Sequence, residues 1–357
     1  LKTNGPESGT SFTMLPDVSS NQLVMPLDDS DRELLLTCVP GFTSNAQKNE
    51  GDFPDQKRLV KALNFEKTDR IPTLDGRGAG KRVMESALGH SVRRAADGLN
   101  ILAEDTVEFA RQMGIDAVAC DFSWQTGPLA YDPEGDLAAQ ARQAFPAPAL
   151  SNELSMLENL LNAAQGSGVG VYARFSGFVE NTFRTIVPSE AGLDLEGLFL
   201  RHDSLEKLMD MLVKHQGRAM RAVCDRFGRG LCFISVQDDA LGCPDLLAGP
   251  DLFQNMIAPR LARMITPARE HGLRVALDTQ ASGANLELAL PALIKAGIGI
   301  IQFTNPDVDA LEHLAQAWHG KVVMMGGLPV SKLGQLSRAE IDEQLSRHAQ
   351  KFSKKTG

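Results

Sequence analysis

The sequence predicts an α/β fold, a (β/α)8 barrel that lacks its last strand within this chain. Three observations carry that expectation. From Phe53 onward, short and continuously apolar runs alternate with longer stretches of helical spacing, the pattern of a parallel sheet covered by helices. Polar residues gather where the apolar runs stop, as in Phe233-Ile-Ser-Val-Gln-Asp-Asp-Ala-Leu-Gly242, and barrels present their chemistry at that rim. No Gly-x-Gly-x-x-Gly follows a run and nothing divides the chain into halves, which disfavours an open, doubly wound dinucleotide fold.

The elements follow in order. Residues 1–52 are polar and turn-rich, apart from Glu33-Leu-Leu-Leu-Thr-Cys38, and are expected to be a disordered extension preceding a barrel domain over 53–357. Helical residues 55–65 lead to a short strand at Arg70-Ile-Pro-Thr-Leu74. Val92 to Met113 reads as helix and Gly114 ends it. Ile115 to Cys120 is a buried strand closing at Asp121. Leu154 to Ala164 is helix, Val169 to Ala173 strand, Leu205 to Phe227 helix, and Leu231 to Gln237 strand. Phe253 to His271 is helical, with Pro259 and Pro267 expected to kink or break it. Val275-Ala-Leu277 is a strand ending at Asp278. Leu286 to Ala296 and Val308 to Trp318 are helices flanking the strand Gly299 to Phe303. Val322 to Met325 is the last strand and Arg338 to Phe352 the closing helix. That makes seven strands. A closed barrel needs one more, and truncation of the sequence is the favoured explanation, because an open parallel edge is a liability.

Composition narrows the function classes. The net charge is −9 with a pI near 5.4 and no basic stripe, which disfavours nucleic-acid or anionic-membrane partners. No apolar run approaches the roughly 18 residues of a membrane span, and no basic start with an apolar h-region marks a secretory signal. The five cysteines contain no Cys-x-x-Cys pair, and most sit in apolar contexts as small hydrophobes. A cytoplasmic setting is expected.

Candidate chemistry clusters at strand ends. In Asp238-Asp239 the functional reading is substrate orientation or cation binding; the plainer one is an inward carboxylate beside a cap or loop hydrogen bond. Asp121, between apolar neighbours, suits proton transfer or stabilisation of a cation; alternatively it hydrogen-bonds the following loop. In Asp75-Gly-Arg-Gly-Ala-Gly-Lys81, glycines permit close approach while Arg77 and Lys81 offer charge to carboxylates or phosphates; the alternative is a solvated turn. Arg82 stands where a Walker loop needs a hydroxyl. Asp278 and Gln280 end another strand with polar side chains. The histidines form no metal-binding spacing, so no metal site is signalled.

These pieces in order resemble the uroporphyrinogen decarboxylase superfamily, which includes methyltransferases acting with corrinoid proteins or coenzyme M. The resemblance covers residues 55 to 352. It rests on Lys67-Thr-Asp-Arg-Ile-Pro72, Gly114-Ile-Asp-Ala-Val118 leading to Asp121, Phe175-Ser-Gly-Phe178, Gln237-Asp-Asp-Ala-Leu-Gly242 and Gly326-Gly-Leu-Pro329. It implies a cofactor-free decarboxylase of a tetrapyrrole or related polycarboxylate in porphyrin biosynthesis. Asp121 would face the pyrrole nitrogens, and Arg77 with Lys81 would hold substrate carboxylates. The family's tyrosine after the Gly-Phe segment is missing, and its late histidine would fall beyond residue 357. The methyltransferase branch uses a His-x-Cys zinc motif, and Gln280 and Ser282 stand in those two places. The alternative is therefore a corrinoid-linked methyltransferase without that zinc motif, and a second alternative a non-catalytic barrel. The partners implied are a small-molecule substrate, a corrinoid protein under the first alternative, and a second copy of the chain as a homodimer.

Overall fold

A computed structural model describes residues 53–353, except 76–78, 95–99, 125, 128, 130–135, 147–148, 187–201, 239–252, 281–282, 304–307 and 327–335. Among these residues seven strands form one sheet: β1 (Leu74–Asp75), β2 (Ala117–Phe122), β3 (Gly170–Ser176), β4 (Ile234–Gln237), β5 (Val275–Thr279), β6 (Ile300–Phe303) and β7 (Val323–Gly326). Every neighbouring pair is parallel, and the strands lie in sequence order. Strict sequence order means that each crossover steps the same way, so the helices cover one face while the other curls inward. A doubly wound sheet would reverse its order partway. The arrangement is a (β/α)8-type barrel with seven of its strands among the described residues.

Two cores follow from the period of two along each strand. The outward residues, such as Val118, Cys120, Phe122, Val171, Ala173, Phe175, Val236 and Leu277, pack with the helices in one large core. The inward residues Ala117, Tyr172, Phe233, Ala276 and Ile300 form a second, smaller one. Alanines at 117, 119 and 276 leave room for the Tyr172 and Phe233 rings, which stack with centroids 4.4 Å apart. Helix α1 (Gln56–Leu63) turns Leu59 and Leu63 into this inner core, closing the barrel at the N-terminal ends of the strands.

That closure is fastened by Asp116, whose side chain is fully buried. It accepts from Arg58 Nη1 at 2.5 Å, Arg70 Nη1 at 2.8 Å, the Asp55 amide at 2.8 Å and the Thr73 amide at 2.9 Å. Arg58 also forks onto Asp69 at 2.6 and 2.7 Å. Much of the Lys67–Pro72 segment that carries the family resemblance thus serves to seal the barrel's base.

The outer layer comprises α2 (Lys81–Leu88), α3 (Ala103–Met113), α4 (Leu137–Ala144), α5 (Ser151–Ala164), α6 (Phe178–Ile186), α7 (His202–Phe227), α8 (Ala258–Glu270), α9 (Gly283–Ala296), α10 (Val308–Ala317) and α11 (Arg338–Ser353). Gly114 ends α3 in the left-handed conformation, with φ 68°, as the sequence predicts. The expected helix from Val92 begins only at Ala103; before it Arg94 and Ile101 form an antiparallel bridge. The proline expectation changes too. A π-helical turn at Phe253–Ile257 feeds α8, and Pro259 sits in its first turn, where a missing N–H costs nothing. Pro267 is accommodated inside the same helix. The short α2, α4 and α6 were not anticipated, and the 1–52 extension lies outside the described residues.

Candidate active site at the barrel mouth

The inner face changes character along the strands. At its base are Ala117, Tyr172, Phe233 and Ile300. The same alternation then places Asp121, Arg174, Ser235, Gln237, Asp278 and Gln302 inward, toward the C-terminal ends. Register ties Asp121 to Arg174 and Arg174 to Ser235, and it ties Gln237 to Asp278 and Asp278 to Gln302. A polar collar thus stands above an apolar floor.

Its centre is an ion pair between adjacent strands. Arg174 Nε donates to Asp121 Oδ1 at 2.5 Å and Nη2 to Oδ2 at 2.7 Å, a two-point fork of the strong kind. The Arg174 side chain is only 11% exposed, whereas that of Asp121 is 46% exposed, so the carboxylate faces solvent and the guanidinium lies beneath. Burial works against the charge on Arg174, but the Asp121 hydrogen bond and charge, with Asp278 adding to them, outweigh it and hold the guanidinium's pKa above its ordinary value. Asp278 is buried, and its charge is felt by both Arg174 and Tyr172. Burial pushes the Tyr172 phenol up, and its hydroxyl donates to the Asp75 carbonyl at 3.0 Å. Tyr172 is therefore a neutral part of the floor.

Asp121 thus lies inside β2, where the sequence placed it just past the strand. Asp238 has a different use. Its buried carboxylate accepts from the Val179 and Glu180 amides, both at 3.0 Å, and caps α6. Gly177 makes room for it, since a Cβ there would come within 2.0 Å of the carboxylate oxygen. Of the two readings of this acid, the structure displays the cap. Lys81 opens α2, is exposed, and pairs with Glu85 at 3.6 Å. Gln280 is exposed immediately after β5. Arg77 and Asp239 fall outside the described residues.

The sequence reading missed Arg174, Ser235, Gln237 and Gln302 as site residues. Their signal was the period of two: Tyr172-Ala-Arg174 and Phe233-Ile-Ser235-Val-Gln237 continue the inward alternation. Ending the third strand at Ala173 hid the arginine. The loop after β2 is held by a polar network, with Trp124's carbonyl accepting from Ser176 Oγ at 2.9 Å and Asn181 Nδ2 at 3.1 Å. Thr126 donates through its amide to Asn181 Oδ1 at 2.9 Å. Cys120 and Cys224 are buried free thiols and Cys232 a half-buried one; burial pushes Cys120 up to about 12, which makes it a poor nucleophile. Among the described residues no three His, Cys, Asp or Glu side chains assemble as a metal site, and no helix is long and apolar enough to cross a membrane.

The sequence matches no protein-family model and no curated protein. Among solved structures, the barrel is similar to a methyltransferase from Methanosarcina mazei, with a TM-score of 0.56 and 15% identity over 84% of this chain and 90% of that one. A β-mannanase from a symbiotic protist of the termite Reticulitermes speratus gives 0.40 at 10% identity, covering 76% and 78%. The HMG-CoA lyase from Brucella melitensis gives 0.37 at 14%, covering 83% and 93%. The first of these likenesses establishes the fold, a (β/α)8 barrel.

Proposed function

We propose that the chain is a methyltransferase that moves a methyl group between a small charged substrate, held in the barrel mouth, and a reduced corrinoid carried by a partner protein. The observation that carries this reading is the Asp121–Arg174 fork beside Asp278. Two carboxylates surround one guanidinium, a setting that attracts a cationic substrate such as an ammonium or sulfonium. Such an onium centre needs no zinc-activated thiol, because its own positive charge makes the amine or sulfide a good leaving group. The methyl passes to the corrinoid nucleophile, which supplies the electron pair of the new bond. The pair of the broken C–N or C–S bond stays on the departing neutral amine or sulfide.

The chain's residues would act by position. Asp121 and Asp278 hold the cation, Arg174 fixes Asp121 in one orientation, and the apolar floor excludes water below. Because the substrate's charge disappears during transfer, the carboxylates favour binding more than the transition state. Rate then comes from alignment with the partner at the open rim. The likeness to a methyltransferase supports the reading. The decarboxylase reading draws less support, since the similar solved structure is a methyltransferase.

The test is to incubate the purified chain anaerobically with cob(I)alamin and methylated ammonium and sulfonium donors, following loss of the cob(I)alamin absorbance. Turnover that falls about tenfold or more in Asp121→Asn is expected for a group orienting substrate. Consumption of uroporphyrinogen III without any methyl transfer would sink the proposal.

A further inference from the structure

We infer that Arg174, Ser235 and Gln237 seat the carboxylate of a small zwitterionic substrate, whose cationic methyl-bearing end lies against Asp121 and Asp278. The chemistry of that cationic end rests on the methyl-transfer reading above; the seat rests on different observations.

The first is Ser235. Its hydroxyl is buried, the residue being 1% exposed, and it finds no hydrogen-bond partner among the described residues. Native proteins rarely leave such a group unmatched, because the desolvation cost is paid without return. Serine at this inward position is thus costly to the free protein, which is the mark of a group kept for something it binds.

Arg174 supplies the second observation. A guanidinium has five N–H donors in a fixed plane. Asp121 takes two of them from the β2 side, through Nε and Nη2. The Nη1 group has no partner among the described residues, and with the second N–H of Nη2 it forms another fork. On the flank away from β2 lies β4, where Ser235 is the register partner of Arg174. Gln237, two residues further along the same face, is half-buried with its amide unmatched among the described residues. A charged fork, a hydroxyl and an amide together are the donor set a carboxylate takes.

Charge and depth complete the inference. Among the described residues Arg174 alone faces Asp121 and Asp278, so there a simple anion would meet a net negative neighbourhood. A substrate with one charge of each sign resolves this, its carboxylate on the fork and its cation on the acids. Tyr172 and Phe233 floor the site with stacked rings directly below Ser235, which limits the seated end to a small planar group.

The experiment is calorimetric titration of the full chain with N,N,N-trimethylglycine and dimethylsulfoniopropionate. The single-charge controls are choline, which lacks the carboxylate, and 3,3-dimethylbutanoate, which lacks the cation. At least one zwitterion should bind tenfold or more tighter than both controls. Arg174→Lys, which loses the fork, should weaken binding about a hundredfold. Ser235→Ala should weaken it about tenfold while leaving the free protein's unfolding temperature unchanged or higher, since an unmatched hydroxyl is removed. A purely structural serine would not separate the two readouts. No heat from either zwitterion at millimolar concentration, binding of choline as tight as theirs, or Ser235→Ala binding like wild type would each overturn the seat. Binding with these dependences but no demethylation by cob(I)alamin would uphold the seat and remove the methyl-transfer reading. Methyl transfer from a carboxylate-free donor, unchanged in Ser235→Ala, would do the reverse.

Discussion

The barrel carries an arginine–aspartate cluster at each end, and the two are built to opposite specifications. At the base, Asp116 is fully buried and receives two guanidinium groups and two backbone amides. At the mouth, Asp121 receives one guanidinium, and nearly half of its side chain faces solvent. Both clusters join a carboxylate to basic side chains, Asp116 immediately before β2 and Asp121 near its far end. Saturation makes the lower one a fastening. The upper one keeps hydrogen-bonding capacity, and unspent capacity at the C-terminal ends of barrel strands is where chemistry is expected.

This contrast can be broken by mutation. Asp116→Ala strands Arg58 and Arg70 in the base without their carboxylate, and a loss of about 3–5 kcal/mol in urea unfolding is expected. A loss below about 1 kcal/mol would mean the base is held by apolar packing alone. Gly177→Ala drives a methyl group into the Asp238 carboxylate that caps α6. It should cost about 1–3 kcal/mol by the same measurement, with the α6 amides losing hydrogen-exchange protection first.

Acid should destabilise the fold in two steps. Burial, reinforced by Arg218, Arg142 and Lys214, depresses the His215 pKa. The folded chain therefore takes up that proton less readily than the unfolded chain, and stability begins to fall as pH drops through the ordinary histidine value of 6.5. The hydrogen bond from Arg58 holds Asp69 below its ordinary 3.8. Burial alone would raise Asp105, but hydrogen bonds from Arg93 outweigh it and lower that carboxyl too. Both contributions are complete above pH 3.8 and are lost as pH falls through the depressed values. Thermal melts between pH 7 and 2 should show both declines, and Asp69→Asn should flatten the second. Smallest in stability is Asp121→Asn, which should move unfolding by under about 1 kcal/mol, because the carboxylate is half-exposed and the asparagine oxygen still accepts from Arg174, while activity falls. A large stability loss there would make the mouth a fastening like the base.

The strand–helix alternation was legible because buried parallel strands leave continuous apolar runs, and six of the seven predicted strands are present in place, while β1 shares only Leu74 with the run expected at Arg70–Leu74. Their ends were harder to place. Asp121 and Asp278 looked like residues past a strand because charge normally ends a buried run, yet both lie within one, in a barrel whose inner face turns polar. Arg174 was missed for the same reason. The Asp238 cap was hidden too, since a carboxylate capping a helix 59 residues earlier in sequence, Asp238 to Val179, leaves no local pattern. The base cluster was equally hidden: Arg58, Asp69, Arg70 and Asp116 meet only through the fold.

Leu59 and Leu63 stopper the strand origins, so among the described residues the interior is filled at that end and the polar collar stands at the other. Under the proposed methyl transfer, substrate and corrinoid protein would both approach from the collar end, and the docked protein would cover the substrate's route. The proposed methyl transfer would then impose an order: the small molecule boards first, the large partner docks second, and the remnant leaves after the partner lifts away. Steady-state kinetics would register this as compulsory-order addition.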